Sequence, residues 1–177
     1  INTSMSALDN QPTNINFLSP LGFKFQIKKT PHLNYFVQSV NLPTVSIGTV
    51  EVGTPFTRIP FPGDKLTFGQ LDVTFKVDED MENYTEIFNW MIAMGHPDSL
   101  TDSATIYAAP AMSGAGVYSD LSLVILTNGM RGNKIINFSD AFPINLSDIT
   151  FDSTLSDVEY VTATATFAYR RFTLASL

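Results

Sequence analysis

The chain has 177 residues, 10 Lys and Arg against 17 Asp and Glu, and a net charge of −7. That balance argues against a nucleic-acid reader held by phosphate neutralisation, although acidic charge still suits a surface that must repel DNA. Cysteine is absent, which excludes disulfides and thiolate metal sites.

At this length one domain with one core is expected, burying roughly two thirds of the unfolded surface. No run of about 18 apolar residues is present to span a bilayer, so a soluble chain without membrane insertion is expected. Fourteen Phe and six Tyr, with only 15% charged residues, point to aromatic-rich sheets. Residues 1–20 are polar, rich in Asn and Ser, and end at Ser19-Pro20. They read as an arm ordered against a neighbour or as a frayed terminus, leaving residues 21–177 as the folded β domain.

From Gly22, the segment GFKFQIKK alternates Phe23, Phe25 and Ile27 against Lys24, Gln26 and Lys28, the pattern of a half-buried strand. Tyr35–Leu42 reads as a second strand after the Thr30-Pro31 break, and the two are expected to form a hairpin. The segment from Thr44 to Pro62 reads as a loop. It carries no charge except Glu51 and Arg58, yet holds Val45, Ile47, Val50, Val52, Phe56, Ile59 and Phe61. A surface loop so apolar needs a partner to cover it.

Alternation resumes at Thr67 and runs to Val77, with Gly69 suggesting a bulge. Helical spacing follows at Tyr84, Ile87, Phe88 and Met91, predicting one helix over about Met81–Met94, roughly 20 Å long. Acids at Asp78, Glu79, Asp80, Glu82 and Glu86 crowd its N-terminal end, where the macrodipole favours them; Asp80 or Asp78 is the expected cap, and Gly95 with Pro97 the stop. His96–Ser119 is rich in small residues and reads as a long loop. A hairpin is then expected from Asp120–Thr127 and Lys134–Phe138, followed by strands at Ile144–Asp152 and Val158–Leu174. The sum is a mainly β fold, a sandwich or barrel of two packed antiparallel sheets with one flanking α-helix.

Chemistry is hard to find. No Cys nucleophile and no GxSxG elbow occur, and His32 in a turn and His96 at the helix exit suit structural roles better than catalysis. Two His 64 positions apart make no ligand pair, and there is no HExxH. The acid run from Asp78 places Asn83 where a calcium loop needs Gly and Asn89 where it needs Glu. Gly63-Asp64-Lys65 and Gly114-Ala115-Gly116 match no phosphate cradle. No catalytic, cofactor or metal residue is therefore assigned. A glycan hydrolase with two convergent carboxylates stays open as an alternative, as does a ligand-binding sandwich with Tyr35, Phe36 or Tyr107 lining a groove.

The ordered series LPxxxxxxVEVGTPFTRIPFPGDKLTF, then LDVTFKVDED, then NYTEIFNWM resembles the tail tube proteins of contractile-tailed bacteriophages, whose fold is shared with type VI secretion tube proteins. AFPINLSDITFD and VEYVTATATFAYRRF look like the family's closing strands, so residues 22–174 are covered. In the resemblance, Leu42-Pro43 closes the strand entering a stacking loop, Gly63-Asp64 is the turn leaving it, and Phe88 and Trp90 sit in the following helix. It implies a non-enzymatic virion subunit, assembled in the host cytoplasm, that forms stacked hexameric rings with itself. Sheath and baseplate proteins would be its partners, and genome DNA would pass through the lumen without specific binding. Val45, Ile47, Val50, Val52, Phe56, Ile59 and Phe61 would make the contact between rings, while lumen-facing residues stay unassigned. A tube-initiator or baseplate protein of the same fold is the alternative.

Overall fold

A computed structural model describes residues 15–95, 116–154 and 160–177. The elements in chain order are β1 (Phe23–Ile27), α1 (Leu33–Phe36), β2 (Val37–Val40), β3 (Val45–Gly53), β4 (Arg58–Phe68), β5 (Leu71–Lys76), α2 (Glu82–Gly95), β6 (Ser119–Leu126), β7 (Gly132–Leu146), β8 (Thr162–Ala168) and β9 (Arg171–Ser176). Seven strands form one antiparallel sheet in the order β1-β6-β7-β8-β5-β2 with β9 beside β7, and β3 and β4 make a separate two-stranded sheet. The fold is mainly β with antiparallel sheets and the flanking helix expected.

The large sheet folds over on itself at β7. Lys134–Ser139 pair with β9 and the same stretch pairs with β6, whereas Phe142–Leu146 pair with β8. One half is therefore β1, β6, β9 and the start of β7; the other is β2, β5, β8 and its end. Between them Asp140 takes a left-handed φ of 56°, a conformation that Asp tolerates better than most residues. Opposite this kink lies the break between β8 and β9, where the Arg170 amide donates to the Ser139 carbonyl at 3.0 Å. Arg170 also lies 3.6 Å from Asp140. The register continues across the break, so a single bent ribbon serves both halves, as corner strands do in sandwiches.

Strict alternation then fills the space between the halves. Phe25, Ile27, Leu121, Leu123, Ile136 and Phe138 enter from one side, and Leu71, Val73, Phe75, Ala163, Ala165 and Phe167 from the other, all in one core. Helix α2 contributes Ile87 and Trp90 to it, and the Trp90 ring packs 6.2 Å from Phe167. The Trp90 indole donates to the Val117 carbonyl at 2.9 Å, which ties the helix to the approach to β6. The helix starts one residue later than expected. Of the two anticipated caps, Asp78 receives the Asn83 amide at 3.3 Å, while the Asn83 side chain donates to the Lys76 carbonyl at 2.8 Å.

Several expectations are corrected. β1 and β2 form no hairpin: β1 pairs with β6 and β2 with β5, at opposite ends of the strand order. The turn α1 separates them because Leu33 enters the core and the Asn34 amide takes the place of a partner strand at Ile27. Asn34 Oδ1 accepts from the Ile27 amide at 2.8 Å and its Nδ2 donates to the Ile27 carbonyl at 3.2 Å. Ile144–Asp152 is no independent strand, since β7 runs unbroken from Gly132 to Leu146. The strand expected from Thr67 is divided. Gly69 leaves the ladder to donate its amide to the Thr44 carbonyl at 2.8 Å, and a Cβ there would stand 2.6 Å from Thr44 Oγ1. The arm over residues 1–20 lies outside the described residues for positions 1–14. So do His96, Tyr107 and the loop over positions 96–115.

Candidate assembly surface

The segment expected to be a loop is a β-ribbon. Val45–Gly53 and Arg58–Phe68 pair antiparallel, and the prolines that suggested a loop, Pro60 and Pro62, lie on an edge strand, where a missing donor is tolerated. Every residue of β3 is exposed, and so is every residue of β4 except Gly63 and Phe68. The tip is closed by Thr54, whose hydroxyl donates to the Thr57 carbonyl at 2.6 Å while its amide donates to the same oxygen at 2.8 Å.

The pairing sets the apolar residues opposite one another across the two strands. Val50 stands opposite Phe61 and Val52 opposite Ile59, while Glu51 faces Pro60 on the other side. Arg58 joins Glu51 at 3.2 Å on that polar side. Nearer the body Val45 faces Phe68 and Ile47 faces Leu66. Between these stretches the register slips: Gly48 opposes the Gly63–Lys65 bulge, where a Cβ on Gly63 would meet the Gly48 carbonyl at 2.6 Å. The apolar positions change parity across the slip in both strands, from Val45 and Ile47 to Val50 and Val52 and from Phe68 and Leu66 to Phe61 and Ile59.

All seven residues expected at the contact are on this ribbon, and Phe56 at its tip is 99% exposed. Sequence reasoning missed Leu66, half-exposed opposite Ile47, because the segment was ended at Pro62. An isolated two-stranded ribbon is at best marginally stable in water. Its root is held by Phe68, whose ring packs 5.4 Å from Phe172 and 6.2 Å from Tyr169; these two pack in turn on Phe138.

Among the described residues the remaining candidates gather no reactive site. His32 Nδ1 lies 2.6 Å from Glu86 and Nε2 3.5 Å from Glu82, so it ties α1 to α2. Its pKa is raised, first by the hydrogen bond to Glu86. Among the described residues no three His, Asp or Glu side chains are grouped to hold a metal. Lys29 donates to the Gly116 carbonyl and lies over the Trp90 ring at 5.0 Å, and burial lowers its pKa. Tyr35 and Phe36 are exposed, Tyr35 beside an open groove between β1 and β2. Among the described residues no helix is long and apolar enough to cross a membrane.

Comparison with known proteins bears on this surface. A model of the family described as phage tail tube protein matches residues 8–175. Among solved structures, the chain is similar to the sheath-tube complex of the PVC extracellular contractile injection system in its extended state, with 17% identity, 98% of this chain and 100% of that one covered, and a TM-score of 0.60. It is similar to the tube-terminating cap of the anti-feeding prophage, with 14% identity, 98% and 100% covered, and a TM-score of 0.61. Hcp1 from Flavobacterium johnsoniae aligns at 15% identity over 91% of this chain and 98% of its own, with a TM-score of 0.51. At these identities the structural likeness establishes the fold alone. No curated protein matches in sequence. With a single family model covering nearly its whole length, the chain belongs to the phage tail tube protein family, as a tail tube-type structural protein.

Proposed function

We propose that the chain is a tube subunit that assembles into stacked hexameric rings, and that β3 and β4 make the contact between rings. The observation that carries this reading is the ribbon's cross-strand apolar pairs, which stay exposed among the described residues. Burying such pairs removes water from them at roughly 25 cal/mol per Å². Val45, Ile47, Val50, Val52, Phe56, Ile59 and Phe61 would lie in that contact. Residues 21–177 form the tube unit, with residues 1–20 as an arm. Sheath proteins surround the tube, a baseplate protein starts it, and genome DNA moves through the lumen without specific binding. The particle is assembled in the host cytoplasm and the subunit resides in the virion tail. No enzymatic role is assigned.

A second reading, a protein of the same fold that caps or initiates the tube, is supported by the likeness to a tube-terminating cap as well as to a tube complex. Negative-stain microscopy of the purified protein at raised concentration separates the two. Tubes or stacked rings support the subunit, single rings that never stack support the cap, and a strict monomer, even with tail partners added, rejects both.

A further inference from the structure

We propose that Asn128 is a site of spontaneous deamidation, at which the main chain of the β6–β7 turn attacks the Asn128 side chain and isoaspartate results. The chemistry needs only the folded protomer, whatever that protomer assembles into.

Asn128 is the one Asn of the chain that Gly follows. Every other Asn precedes a residue with a side chain, among them Tyr35, Leu42, Tyr84, Trp90 and Phe138, which crowds the approach to its own amide nitrogen. Asn34, Asn41 and Asn83 are also held by side-chain hydrogen bonds, to Ile27, to Gln70 and Asp72, and to Lys76. Asn89 lies in α2, and Asn133, Asn137 and Asn145 lie in β7, where main-chain pairing restrains the next amide.

Asn128 escapes all of these restraints. With Gly129 it fills the centre of a turn that the Met130 amide closes onto the Thr127 carbonyl at 2.8 Å. Both residues are exposed. Among the described residues neither the Asn128 side chain nor the Gly129 amide makes a hydrogen bond. The space beside Gly129 is open, since a Cβ there would find Thr127 Oγ1 at 3.8 Å and nothing nearer.

Hydroxide takes the Gly129 amide proton, and the nitrogen bonds to the Asn128 Cγ carbon. The Cγ–Nδ2 bond breaks, and the side-chain amide leaves as ammonia, taking its third hydrogen from water and returning hydroxide. Water opens the five-membered imide that remains. Cleavage at Cγ gives aspartate, and cleavage at the main-chain carbonyl leaves the chain running through Cγ as isoaspartate. Either product adds one negative charge to a chain of −7. Isoaspartate also inserts a methylene into the main chain spanned by the bonds that hold the turn. These are Met130 to Thr127, the Thr127 amide to the Arg131 carbonyl at 2.7 Å, and the Arg131 amide to Thr127 Oγ1 at 3.3 Å.

The test holds intact protein in warm, mildly alkaline buffer and maps its digest by mass spectrometry, with isoaspartyl methyltransferase marking isoaspartate. The expected result is conversion at Asn128 ahead of every other Asn, with isoaspartate among the products. Gly129 is not in the left-handed region, so Gly129→Ala should fold as wild type. It should slow conversion by about tenfold or more, a barrier higher by about 1.4 kcal/mol. Conversion no faster at Asn128 than at another Asn overturns the site, and an equal rate in Gly129→Ala overturns attack by that nitrogen. Conversion that begins only after urea unfolding also overturns it, because the folded turn would then protect the pair. The isoaspartate form should unfold at lower urea than Asn128→Asp, which carries the charge without the added methylene; equal midpoints overturn the effect on the turn.

Discussion

β4 and β5 are separated by two residues and carry the same alternation, yet the chain treats them oppositely. In β5 Leu71, Val73 and Phe75 are fully buried, whereas β4 exposes Ile59, Phe61 and Leu66. Alternation specifies a strand with one apolar face; it does not say which molecule covers that face. The body of the protomer answers the question within one chain, and in the tube proposed above the ribbon leaves it to a second copy.

The sharpest way to break the comparison is charge on the ribbon. Val52→Asp with Phe56→Asp is expected to abolish tubes in microscopy while the far-UV spectrum and denaturation midpoint of the protomer stay unchanged. A buried, unpaired carboxylate costs several kcal/mol at each contact, but both positions face water in the protomer. Tubes that persist would place the ring contact elsewhere. Phe75→Ala should do the reverse and lower protomer stability by about 3–5 kcal/mol, read by urea unfolding. Phe61→Ala, the same truncation on the ribbon, should change it by no more than about 0.5 kcal/mol.

Gly63→Ala tests the register slip between the ribbon's two apolar stretches. Its new methyl would collide with the Gly48 carbonyl, and overpacking of this kind costs about 1–3 kcal/mol. Because the ribbon is separate from the core, the expected loss is in assembly, measured as a raised critical concentration, with little change in global unfolding. A smaller effect is expected at Tyr169, whose hydroxyl is buried without a partner among the described residues and whose pKa burial raises. Tyr169→Phe removes that unsatisfied group and should be neutral or stabilise the protomer by up to about 1 kcal/mol in the same urea assay.

Much of this was legible in the sequence because the signals are local. The α2 limits fell within one residue, since Tyr84, Ile87, Phe88 and Met91 recur at helical spacing and Gly95 ends the run, but the buried face is Asn83, Ile87 and Trp90, and Phe88 is half-exposed. The alternation read over Val158–Leu174 holds in β8, but the single strand expected there is divided into β8 and β9 at the break by Arg170. Pairings at long range were not legible. The hairpin expected of β1 and β2 failed because the competing partner of β1, β6, lies about a hundred residues away, and the Asn34 amide that replaces a neighbour at Ile27 has no signature beyond its own identity. The kink at Asp140 escaped for a similar reason, as it is defined by the Arg170 break opposite it. At the ribbon the apolar residues were found and their conformation was not, because two prolines suppress the strand signal on an edge where they do no harm.

The smallest expected effect is a pH dependence confined to the body, where His32 holds α1 against α2. Its ring is 53% exposed, with Glu86 and Glu82 facing it and Asp78 adding negative charge from the approach to the helix. The Glu86 hydrogen bond is the largest cause of the raised pKa, followed by the Glu86 charge; burial opposes them, and the charges of Glu82 and Asp78 add smaller raising effects. A histidine that holds its proton more tightly folded than unfolded contributes stability that is fully present below the ordinary value of 6.5 and disappears as pH rises through the raised folded value. Solvent screening at so exposed a ring keeps the contribution small. Wild type should therefore exceed His32→Gln in urea stability at about pH 5.5 and converge on it by about pH 8.5, with His96 cancelling because both proteins carry it. An equal difference at both pH values would mean that the contact acts through packing and hydrogen bonding of the neutral ring. The ribbon contains no histidine, so the assembly defect of the Val52→Asp and Phe56→Asp protein should persist over the same range, and the two regions can be told apart by pH alone.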